Sequence, residues 1–152
     1  MTIYPEAAFR STAYQTSLEE QSVLPGRQLA DDLASGLRDL GHEVSGVTND
    51  EPFWAVNIKL PKQNISLLVY LYYPNRDPGQ AIWSVSIPFK FGLFSRLAGK
   101  QPDAAVVALA QAVNMALQKC GKVYDIRWFR DLPAEPFEAS QYSAQPVVQS
   151  TK

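Results

Sequence analysis

The sequence predicts an α+β domain: an antiparallel sheet of about four to five strands with two helices packed on one face, in the order α-β-β-β-β-α-β. Three observations predict it. Leu29, Leu33, Leu37 and Leu40 recur at intervals of four, four and three, which places them on one face of a helix. Trp54, Val56, Ile58 and Leu60 alternate with Ala55, Asn57 and Lys59, the period of a half-buried strand. Short turn segments, rather than crossover-length stretches, separate the apolar runs between residues 54 and 87, so neighbouring strands there pair antiparallel.

The first helix opens near Pro25, whose fixed φ suits a first turn, and closes at Gly41, where a left-handed residue costs glycine nothing. Gly36 in its interior weakens it by roughly 1 kcal/mol relative to alanine, which points to a close packing contact. His42 to Val47 reads as a short strand, ended by Thr48, Asn49 and Asp50. Trp54 to Leu60 follows, and Pro61 to Asn64 turn the chain. Ile65 to Tyr73 is apolar on both faces, with Ile65, Leu67, Val69 and Leu71 on one and Leu68, Tyr70 and Tyr72 on the other. A strand of that kind belongs mid-sheet, covered on both sides. Pro74 to Gly79 form a loop, after which Ala81, Trp83, Val85 and Ile87 alternate with Ser84 and Ser86. The second helix begins near Pro102 and Asp103, carries Val106, Ala110, Val113 and Leu117 on its apolar stripe, and ends at Gly121 after Lys119. Val123 to Phe129 is the final strand, with Tyr124, Ile126 and Trp128 on one face.

A chain of 152 residues is long enough for one domain with its own core. Residues 25–131 carry the periodic signal. Residues 1–24, rich in Ser, Thr, Gln and Glu, read as an N-terminal arm held through Tyr4, Phe9 and Tyr14. Residues 132–152, with Pro133, Pro136 and Pro146, read as a flexible tail.

Composition removes several function classes. Fourteen lysines and arginines stand against 15 acids, for a net charge of -1, which argues against a nucleic-acid binder. One cysteine, Cys120, and one histidine, His42, leave no disulfide framework, zinc cluster or ordinary nucleophile system. Cys120 reads as a small core residue and His42 as a cap beside the helix terminus. No Gly-x-Ser-x-Gly elbow occurs, and Gly99-Lys100-Gln101 lacks both the earlier glycine and the following Ser or Thr of a phosphate loop. The expectation is therefore no enzyme, no cofactor and no metal. Met1 to Arg10 hold Glu6 and Arg10 without an apolar stretch, and no apolar run approaches the roughly 18 residues of a membrane helix. A cytoplasmic location without stable membrane insertion is expected.

Binding is the remaining class. Phe89 to Lys100 joins a strand to a helix and holds three aromatics, two leucines and three cations without an acid. Two readings are open: Phe91, Phe94 and Leu97 plug the end of the core, or they form an apolar patch rimmed by cations such as Arg96. Charge is asymmetric along the chain. Residues 1–55 hold nine acids and three bases, and residues 56–130 hold three acids and ten bases. If helices cover one sheet face only, Tyr70 and Tyr72 on the other must meet a second subunit, a partner or the N-terminal arm.

The expected function is a non-enzymatic module that occludes or chaperones a partner protein, with the general character of bacterial immunity proteins and secretion chaperones. Its expected contact residues are Phe91, Phe94, Arg96, Trp128, Tyr70 and Tyr72. A homodimer is also compatible, with Tyr70 and Tyr72 meeting the second subunit. The alternatives are a small-molecule pocket between sheet and helices lined by Trp54, Tyr70, Trp83 and Trp128, and a carboxylate-dependent hydrolase. The contact reading expects Phe94→Ala to abolish partner binding at an unchanged melting temperature. A stability loss of about 2–4 kcal/mol in a urea titration would instead assign Phe94 to the core.

Overall fold

The computed structural model describes residues 2–14, 25–73, 81–88 and 103–149. Its strands are β1 (Thr2–Ile3), β2 (Glu6–Arg10), β3 (Glu43–Asp50), β4 (Phe53–Lys59), β5 (Asn64–Tyr73), β6 (Ile82–Ser86), β7 (Tyr124–Phe129) and β8 (Val147–Val148). Its helices are α1 (Arg27–Asp39) and α2 (Ala104–Lys119).

Local chemistry sets the helix ends. Gly26 precedes α1 at φ 115°, and a Cβ there would lie 3.2 Å from Trp54 Cδ1, so both backbone and packing require glycine. At the other end Gly41, at φ 91°, donates to Arg38 O and His42 N–H donates to Leu37 O, closing the last turn. Asp103 caps α2 by accepting from Ala105 N–H at 2.9 Å. The apolar stripes of both helices, including Leu29, Leu33 and Leu37 of α1 and Val106, Leu109, Val113 and Leu117 of α2, are buried. The expected close contact at Gly36 is with α2: a Cβ at Gly36 would stand 3.0 Å from Ala116 Cβ.

The α+β class is as expected, but the main sheet has six strands rather than four to five, in the order β3-β4-β5-β6-β2-β7. Every pairing in it is antiparallel. Strands β3 to β6 form a meander, and β2 is inserted between β6 and β7. Residues 6–10 are thus an interior strand, in contrast to the expected arm. The register aligns Trp54, Val69, Val85, Ala7 and Trp128 across five strands on the face that meets the helices. These residues belong to one core together with Leu29, Leu33, Leu37, Leu109, Val113 and Leu117. Tyr14 joins it from the N-terminal side, edge-on to Trp83 at 5.9 Å, and its hydroxyl donates to Asp32 at 2.8 Å.

The C-terminal residues also differ from expectation. Rather than trailing from the domain, residues 132–149 lie against it. Backbone bonds in both directions join Trp128 and Ser143, Tyr4 N–H donates to Pro146 O, and β8 pairs with β1. Leu132, Phe137 and Ala139 pack against Ala8, Ile82 and Phe129 on the sheet face opposite the helices. No helix among the described residues is long and apolar enough to cross a membrane.

A buried polar link ties the layers together. Trp128, fully buried, donates from Nε1 to Asn114 Oδ1 at 2.9 Å, and Asn114 Nδ2 donates to Gln145 Oε1 at 3.1 Å. Removing the acceptor strands an indole N–H away from water, which costs about 1–3 kcal/mol. Asn114→Leu should therefore lower stability by about 2 kcal/mol in urea unfolding, and adding Trp128→Phe should cost less than the two single losses combined. Simple additivity would show that the pair is not coupled.

Candidate functional site

Strand alternation sends Ala55, Leu68, Ser86, Glu6 and Phe129 to the second sheet face as one register row, and Tyr70, Ser84, Ala8 and Arg127 as the next. Both rows have large residues on β5 and β7; between them stand the small Ser84 and Ala8 in the second row, and Ser86 and Glu6 in the first. The C-terminal segment fills the half above β2, β6 and β7. Arg127 stacks on Phe137 at 4.9 Å and on Tyr142 at 4.2 Å, and Arg10 lies over Phe137 at 4.4 Å. The Tyr72 hydroxyl donates to Pro133 O at 2.9 Å.

The rest of that face holds an open depression of about 380 Å³, lined by Phe53, Leu68, Tyr70, Tyr72, Glu6, Ser86, Asp131 and Leu132. Phe53 and Tyr70 meet edge-on at 5.1 Å, and Tyr70 and Tyr72 at 6.1 Å, so the three rings form one continuous aromatic run. Carboxylates stand at one end. Glu6 is partly buried and accepts from Ser86 Oγ at 2.8 Å. Burial raises its pKa above the ordinary carboxylate value, the Ser86 hydrogen bond opposes this, and the charge of Asp131 adds to the rise. Burial likewise raises the Tyr70 hydroxyl, with Ser84 opposing and the Glu6 charge adding. Among the described residues no lysine or arginine lies within ion-pair distance of Glu6 or Asp131.

The expected contact residues fall into three groups. Tyr70 and Tyr72 are brought together, half-buried, in this depression. Trp128 is not on a contact face: it is fully buried and spends its indole N–H on Asn114. Phe91, Phe94 and Arg96 lie outside the described residues, as does the rest of the Phe89–Lys100 segment. The proposed pocket between sheet and helices does not assemble, because Trp54, Trp83 and Trp128 are packed in the core while Tyr70 points to the opposite face. Phe53 belongs with Tyr70 and Tyr72 to the surplus of strand aromatics visible in the sequence, whereas Glu6 and Asp131 were missed. The only signal for Glu6 was its alternation with Ala8 and Arg10, too short to read as a strand.

A second groove, of about 310 Å³, runs beside Gly36 and Ala116 and includes Asp32, Cys120 and Lys122. Asp32 is already satisfied there, by Lys122 Nζ at 2.9 Å, the Tyr14 hydroxyl and Gln28. Burial opposes its ionisation, yet those three donors together hold its pKa below the ordinary value. The Cys120 thiol donates to Leu117 O, and burial lowers the pKa of His42. Among the described residues, no cluster of three or more His, Cys, Asp or Glu is placed to hold a metal. Searches against protein-family models, curated proteins and solved structures find no match to this chain.

The raised Glu6 pKa has a defined sign. The neutral form is favoured in the folded state, so the penalty is absent below the ordinary carboxylate range and grows as pH rises through it. It is fully present above the raised folded value. Glu6→Gln keeps an acceptor for Ser86 and removes the charge. It should raise the melting temperature at neutral pH, with the difference vanishing near about pH 4. A difference that stays constant across this range would show that charge is not its origin.

Proposed function

We propose that this chain is a non-enzymatic protein-binding module that covers a site on a partner, using the sheet face opposite its helices. The observation that carries this reading is the aromatic run Phe53–Tyr70–Tyr72, half-buried beside Leu68 and left uncovered by the C-terminal segment over part of its length. Aromatic side chains supply large contact area at low conformational cost, which is why they anchor interfaces. The platform beneath them is stiff, because every second residue of the same strands is locked in the core. The mode of action would be occlusion, as in immunity proteins, or shielding of an unassembled partner, as in secretion chaperones. A cytoplasmic partner and site of action fit this reading, and the same face could serve self-association.

A carboxylate-dependent hydrolase is the second reading. One observation favours it: Glu6 and Asp131 adjoin the same depression, with Glu6 biased toward its protonated form. It requires turnover that Glu6→Gln abolishes, whereas the binding reading requires none.

Site-specific photo-crosslinking in the source cells separates these readings. A benzophenone amino acid replacing Phe53 should give one discrete adduct with a second protein. The same group replacing Met115, which is exposed on α2, should give none. Tyr70→Ser, combined with the Phe53 probe, should cut the adduct at least tenfold while the melting temperature stays within a few degrees. Equal adducts from both positions, or none from position 53, would overturn the assignment of this face.

A further inference from the structure

The depression has an electrostatic character that the aromatic run alone does not explain. Glu6 occupies an interior strand and sits partly buried, and Asp131, at the start of the C-terminal segment, adds negative charge beside it. A carboxylate removed from water ordinarily acquires a cationic partner or several donors. Here the hydrogen bond from Ser86 reaches Oε1 alone, and among the described residues no lysine or arginine pairs with either carboxylate. The contrast within the same strand is direct. Arg10, at the other end of β2, is placed over the Phe137 ring at 4.4 Å, so the cation of this strand is supplied with an aromatic partner by the chain itself. The anion is left beside three aromatic rings and a second anion.

Rings and carboxylates around one depression are complementary to a single chemistry. An ammonium or guanidinium group gains from the π faces of Tyr and Phe and from the carboxylates at once, while its alkyl stem suits an apolar wall such as Leu68 and Leu132. A neutral apolar side chain would use the rings but leave the partly buried Glu6, beside the exposed Asp131, without a cationic partner. An acidic one would add to their repulsion.

From this we infer that the depression formed by Phe53, Leu68, Tyr70 and Tyr72 with Glu6 and Asp131 receives a lysine or arginine side chain of the partner protein. The inference rests on the protein-binding reading and specifies the chemistry of its anchor. It makes the partner's contact segment basic at its centre and makes the association weaken with salt.

Two measurements test it. In the first, ring resonances of Phe53, Tyr70 and Tyr72 are followed by NMR while the full chain is titrated with the capped tripeptides Gly-Arg-Gly, Gly-Lys-Gly and Gly-citrulline-Gly. The two basic peptides should shift these rings saturably, with affinities in the millimolar range expected for one side chain, and citrulline should not. In Glu6→Gln/Asp131→Asn the response to the basic peptides should fall at least tenfold. Equal shifts with citrulline, or a response that survives the double variant or is absent from all three rings up to tens of millimolar, would overturn the inference. In the second, the Phe53 photo-crosslink is repeated in the double variant. Loss of the adduct supports the cationic anchor. An adduct retained at full yield rejects the cationic anchor while the binding face stands, and an adduct missing already in the parent rejects the face itself.

Discussion

An antiparallel sheet has two faces, and the two helices among the described residues cover one of them. That constraint shapes most of the rest of the molecule. Ile82, Phe129 and Tyr72 project from the second face and would be left in water if nothing lay above them. The chain answers with its own C-terminus, which has too many prolines and too little periodicity to form another layer of regular structure. It crosses the sheet as a strap, pinned by Phe137 and Tyr142 over two arginines, by the paired backbone bonds of Ser143 with Trp128 and by the bond from Tyr4 N–H to Pro146 O. The strap is about long enough to cover β2, β6 and β7. Phe53, Leu68 and Tyr70 lie beyond its main packing cluster and are half-buried.

Strand β2 connects this geometry to electrostatics. It carries Glu6 and Arg10 into the interior of a six-stranded sheet, both on the face away from the core. Charged residues there depend on the partners that face offers. Arg10 finds one in the Phe137 ring, although its Nε is cut off from water with no acceptor. Glu6 finds only the Ser86 hydroxyl. A strand with one end compensated and the other not gives the face a direction, with its cations turned toward the strap and its free carboxylate turned toward the platform.

What was legible in the sequence was local. The leucine stripe of α1, the alternation of β4 to β6, the closing glycines at 41 and 121 and the tight spot at Gly36 each depend on neighbours a few residues away. β2 was not legible, because Ala7 and Ala8 are weak strand formers and Glu6 and Arg10 break the apolar run. Its place in the sheet is fixed instead by β6 and β7, more than seventy residues downstream. The strap was hidden for a related reason. Phe137 and Tyr142 look like isolated aromatics in a polar tail until Arg10 and Arg127, from two separate strands, are placed beneath them. Trp128 was correctly read as sharing a face with Ile126, but only the fold shows that this face is the core and that Asn114 receives its indole N–H.

On the helix side of the sheet the three tryptophans are closely packed, with Trp54 against the turn at Gly26, Trp83 against Tyr14 and Trp128 on Asn114. Close packing there does two things at once. It buries Trp54, Val69 and their neighbours on one side, and it fixes the alternate residues of the same strands, Phe53, Leu68 and Tyr70, on the other. Pre-organisation of that kind lowers the entropy lost on association. A well-filled core and an ordered aromatic run on the outer face are in this sense one property of β4 and β5, seen from the two faces of the sheet.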